Sequence, residues 1–108
     1  MVVCVRVRRG GLSLVFWTQG GRTLIGLAPG NSKDLPEGIF CGLVGLYNVL
    51  SGVEYHAVDG GKQCLVRLQE NNVEVAWKRG AVDAVFRLSV AEYRNLLRAV
   101  SEGTRGAA

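Results

Sequence analysis

The sequence predicts an α+β fold in which two antiparallel sheets are joined by one buried glycine-rich helix and closed by an amphipathic helix. Three observations predict it. Short runs of alternating apolar and polar residues fill most of the chain, as half-buried strands require. Gly-Gly pairs at 10–11, 20–21 and 60–61 separate several of those runs, and such pairs supply the positive φ angles of two-residue hairpin turns. Helical spacing replaces alternation in only two places, near 36–50 and after residue 89.

Taken in order, residues 2–8, 12–18 and 22–28 form a three-stranded meander turned by the first two Gly-Gly pairs. A loop, APGNSKDLP, follows, in which Asp34 can cap a helix with Glu37 three residues on. That helix runs from about 36 to 50 and ends at Ser51-Gly52. Its segment EGIFCGLVGLYNVLSG is apolar nearly all round, with Gly38, Gly42 and Gly45 on one stripe. A helix without a polar face is buried on every side, which in a chain of 108 residues points to homo-oligomerisation, as a dimer or tetramer. Strands at 53–58, 63–69, 73–79 and 82–88 make a second, four-stranded meander, turned at Gly60-Gly61, Asn71-Asn72 and Gly80-Ala81. Ser89 and Glu92 form a capping box, and Val90, Tyr93, Leu97 and Val100 then share one helix face. One domain spans 1–103, with a disordered tail at 104–108.

Composition narrows the function classes. The net charge is +4, and all of it equals the excess of residues 1–30, which hold four arginines and no acid. Such asymmetry suits an anionic partner. Cys4, Cys41 and Cys64 are odd in number and too widely spaced for a metal-ligand pair, so neither metal nor cofactor is expected. The apolar run Ile39 to Leu50 is too short for a span of roughly twenty residues. The start of the chain is strand-like and lacks the layout of a signal peptide. A reduced, cytoplasmic setting away from membranes is the expectation.

The turns fix which residues face one another. In the second meander this pairs Glu54 with Arg67, Lys78 with Asp83 and Glu74 with Arg87 on a charge-balanced outer face. Asn71-Asn72 as a turn sets Glu74 opposite Gln69, and Trp77 falls on the core side. In the first meander one face is Val3, Val5, Val7, Leu12, Leu14, Phe16, Ile25 and Leu27. The other carries Arg6, Arg8, Ser13, Val15, Trp17, Gln19 and Arg22, with no carboxylate among them. Arginines beside an exposed ring hold single-stranded nucleic acid without sequence preference. Arg6, Arg8 and Arg22 are thus the expected phosphate contacts and Trp17 the stacking platform. Ser13 and Gln19 add polar contacts.

Two other readings compete. The 36–50 helix can cover Trp17, or serve as the contact of a protein-assembly subunit that binds no nucleic acid. It can also form a hydrophobic cleft that takes bases against Phe40 or Tyr47. Catalysis is not expected. The single histidine, His56, lies on a polar strand face, and neither GxxxxGK[ST] nor GxGxxG occurs. A small RNA-processing enzyme would have to rest on His56.

The stretch AWKRGAVDAVFRLSVAEYRNLLRAV resembles the strand-to-helix end of the transcription coactivator PC4 and of the Whirly single-strand binders. With VRVRRGGLSLVFW and GIFCGLVGLYNVL, the layout resembles the ThermoDBP-related archaeal single-stranded-DNA-binding proteins. The resemblance implies a small basic subunit that assembles as an oligomer and traps single-stranded DNA, or RNA.

Overall fold

The computed structural model describes residues 3–106, with side chains described up to residue 103. Eight strands and two helices form two antiparallel sheets of four strands each, an α+β fold. The first sheet is β1 (Cys4–Arg9), β2 (Leu12–Gln19), β3 (Arg22–Pro29) and β4 (Gly38–Cys41). The second is β5 (Tyr55–Asp59), β6 (Lys62–Gln69), β7 (Asn72–Arg79) and β8 (Val82–Ser89). Every strand pairs only with its neighbours in sequence.

Glycine makes the tight connections possible. Gly20-Gly21 and Gly60-Gly61 hold both turn residues at positive φ, the conformation that matches the twist of the flanking strands. The β6–β7 turn differs from expectation. It falls on Glu70-Asn71, with Gln69 opposite Asn72 and Glu70 at φ 56. The pairing therefore shifts, and Glu74 faces Arg67 instead of Gln69. Glu74 then lies between two cations, 3.4 Å from Arg67 and 3.8 Å from Arg87. Glu54 lies outside β5 and is exposed. Val53, the first residue of the strand expected at 53–58, is exposed as well.

The segment expected to be one long helix is the main correction. Its first part, Gly38–Cys41, is a fourth strand on β3, and only Leu43–Asn48 is α-helix (α1), followed by one 3-10 turn at Val49–Ser51. Asp34 does not cap it; its own amide instead donates to the Ser32 hydroxyl. Ile39 is buried while Phe40 is half exposed, the alternation of a strand with one buried face. Nor is α1 apolar all round and enclosed. Leu46 is buried, whereas Val44 and Tyr47 are exposed. The helix buried on every side, on which the expectation of homo-oligomerisation rested, is therefore not formed.

The last helix, α2 (Val90–Gly106), begins with the expected box. The Glu92 amide donates to the Ser89 hydroxyl at 3.0 Å, and the Ser89 amide donates to the Glu92 carboxylate at 2.9 Å. The bond from the Ser89 amide, with the Arg9 guanidinium nearby, holds the Glu92 carboxyl below its usual range. The helix continues through Gly106, where a disordered tail was expected, and residues 107–108 lie outside the described residues. Tyr93, Leu96, Leu97 and Val100 enter one apolar cluster with Phe16 and Ile25 of the first sheet and Val75, Trp77 and Phe86 of the second. The Tyr93 hydroxyl donates to the Leu46 carbonyl at 2.6 Å, tying α2 to α1 inside that cluster. Among the described residues no helix is long and apolar enough to cross a membrane.

Candidate nucleic-acid interface

The register of the first sheet agrees with the turn geometry: Arg8 opposes Ser13, Arg6 opposes Val15, Trp17 opposes Leu24, and Gln19 opposes Arg22. The six expected site residues therefore lie on one outer face, as alternation requires. What lies over that face changes their roles.

Residues 30–37, between β3 and β4, fold back across the sheet as a strap. A β-carbon on Gly26 would meet Pro36 Cγ at 2.7 Å and the Glu37 carbonyl at 2.8 Å, so glycine there lets the strap lie flat. Gly38 does the same for the indole: a β-carbon on it would lie 2.5 Å from Trp17 Cη2. Trp17 is consequently only 2% exposed and Ser13 likewise 2%. With Val15, Leu24 and Ala28, Trp17 forms a second small apolar cluster. Neither Trp17 nor Ser13 presents a surface to a base or phosphate, which corrects their expected roles. The cover is the strap, not the 36–50 segment as a helix.

Arg6 is drawn into the same arrangement. Its Nη2 donates to the Lys33 and Asp34 carbonyls at 3.1 and 3.2 Å, while its Nη1 and the Trp17 Nε1 are buried without an acceptor. Arg9 pairs with Glu92 at 3.3 Å. The strap also sets the backbone of Asp34 against a face that is acid-free in the strands alone. Glu37, at its end, pairs with Arg79 of the second sheet. That ion pair borders a cleft of about 300 Å³ lined by Leu12, Leu27, Trp77 and Val82.

Three of the six stay exposed: Arg8, Gln19 and Arg22. Arg22 stacks on the ring of Phe40, with its guanidinium carbon 5.1 Å from the centroid, within the range of a cation–π contact. Phe40 is 50% exposed. No family model, curated protein or solved structure matches this chain.

Phe40 is the residue missing from the set expected on this face. The signal was present: GIFC alternates, and pairing it to β3 sets Phe40 beside Leu24. Gly38, Gly42 and Gly45 suggested a helix stripe instead. In the structure Gly38 makes room for Trp17, and Gly45 packs 2.5 Å, from its would-be β-carbon, against the Tyr55 ring.

Two of the three thiols, Cys41 and Cys64, are poor nucleophiles. Burial pushes the Cys41 and Cys64 thiols each up to about 12, leaving them protonated near neutrality, whereas a thiolate is the reactive form. His56 is exposed on the second sheet. Among the described residues, no group of three or more His, Cys, Asp or Glu side chains comes together to hold a metal.

Proposed function

We propose that the protein binds single-stranded nucleic acid, with DNA favoured, in the cytoplasm and largely without sequence preference. The observation that carries this reading is the Arg22–Phe40 stack at an open end of the first sheet. A half-exposed ring gives any base a π-face, and the guanidinium beside it meets the neighbouring phosphate. Gln19, opposite Arg22, adds a neutral donor and acceptor. Lys33 on the strap and Arg8 beyond it continue the basic track, about 20 Å along β2 at the strand rise per residue.

Anisotropy of a labelled oligothymidylate at several salt concentrations tests this. Binding should weaken as salt rises. Phe40→Ala should cost about 1–3 kcal/mol of affinity with the melting temperature unchanged, and Arg22→Ala should reduce the salt slope by about one. Absence of binding at low salt, or salt-independent binding, would overturn the reading.

A second reading rests on Val44 and Tyr47, three residues apart on the outward side of α1 and exposed at 75% and 37%. Such a pair suits assembly with a second copy, as a homo-oligomer, or with another protein. Light scattering of the chain and of Val44→Glu would separate the two: a stable oligomer broken by the substitution, without nucleic-acid affinity, favours assembly.

A further inference from the structure

We infer that the free edge of β1 docks an extended segment of another protein in which acidic and apolar residues alternate. The inference is independent of nucleic-acid binding at Phe40.

Among the described residues β1 has a neighbour on one side only. The Thr18 amide donates to the Val3 carbonyl at 3.0 Å, and Arg9 and Leu12 flank a two-residue turn. Alternation within an antiparallel ladder then directs the backbone of Val3, Val5, Val7 and Arg9 toward β2. The amides and carbonyls of Cys4, Arg6 and Arg8 face outward, the Arg8 carbonyl accepting from Arg9 Nη1 at 3.0 Å. An edge of this kind is a template for a further strand.

A groove of about 350 Å³ runs beside it, with Val5 and Val7 on one wall and Leu88, Leu96 and Ala99 on the other. Side chains of an added strand alternate between the two faces. Those on the groove side meet a mostly apolar lining that also holds Asn95 and Glu92, the latter already paired with Arg9. Those on the outer side meet Arg8. Arg6 is held by the strap carbonyls, with its Nη1 buried, so the accessible charge on that side is Arg8, which is exposed.

The same charges decide between occupants. A second copy pairing through its own β1 would set arginines against arginines, and like charges directly opposite are destabilising. An acidic strand is complementary in charge and in pattern.

The test uses the full chain and a synthetic peptide of alternating glutamate and valine. Amide hydrogen exchange is followed by NMR. The Cys4, Arg6 and Arg8 amides should slow on addition of this peptide and stay unchanged with a lysine–valine peptide of equal length. Arg8→Pro removes one outward N–H while sparing the ladder to β2, a place where an edge strand tolerates proline, and should weaken peptide binding about fivefold. Arg8→Glu retains the amide and reverses the charge, so it should weaken binding even if the proline variant folds poorly. Equal slowing by the lysine–valine peptide, slowing by oligothymidylate, concentration-dependent slowing without peptide, or no slowing at all would each overturn the inference. Phe40 is untouched throughout, so this outcome and that of the nucleic-acid titration are read separately.

Discussion

The Trp17 indole is so close to Gly38 that a β-carbon there would lie 2.5 Å from Cη2, and it shares its cluster with Val15, Leu24 and Ala28. Its energetics are therefore those of a core side chain. Trp17→Ala should destabilise the fold by about 3–5 kcal/mol in chemical denaturation. With Trp77 also 3% exposed, acrylamide should quench the intrinsic fluorescence weakly, and an oligonucleotide should leave it nearly unchanged. Sequence alternation could place Trp17 on the outer face, because side-chain direction follows from period alone. It could not show the cover, because a non-repetitive loop carries no period from which its path can be read. Phe40 was obscured for the opposite reason: its neighbours Ile39, Cys41 and Leu43 are all apolar, and a short apolar run does not distinguish strand from helix.

Hairpins and caps were the most legible elements, since their chemistry is local. The capping box at Ser89 and Glu92 is present as expected, and Ser89→Ala should cost about 1 kcal/mol of thermal or chemical stability. The β6–β7 turn was legible in existence but misplaced by one residue. Asn71-Asn72 is the better turn pair by composition, and it too would align apolar residues, Leu68 with Val75 and Val66 with Trp77; what the observed turn on Glu70-Asn71 changes is the outer face, where Arg67 now opposes Glu74. The observed turn places Glu70 at φ 56, the single non-glycine positive φ among the described residues. An L-residue in that region carries about 1–2 kcal/mol of strain, which asparagine tolerates better. Glu70→Asn should therefore stabilise the protein by up to about 1 kcal/mol, read as a shift in the denaturation midpoint at constant slope.

At the scale of the whole molecule, alkaline pH is the informative variable. Burial raises the thiols of Cys41 and Cys64 from 9.0 to about 12, and it also raises the Tyr93 hydroxyl, which must keep its proton to bond Leu46. The unfolded chain releases these protons near the ordinary values and so binds fewer of them than the native state does. Stability should accordingly be intact below pH 9 and fall progressively between about pH 9 and 12, as measured by denaturation at a series of pH values. An unchanged midpoint across that window would show that the thiols are hydrated.

The order of the strands has a consequence for synthesis. Each sheet is complete from its own consecutive residues, so both can form as soon as they leave the ribosome. The helix that enters the apolar cluster with both sheets begins only at residue 90. Until it emerges, the nascent chain displays two finished sheets with uncovered apolar faces, the condition under which chains aggregate or recruit chaperones. Translation speed over the last strand and this helix, more than the formation of the sheets, sets how long that exposure lasts.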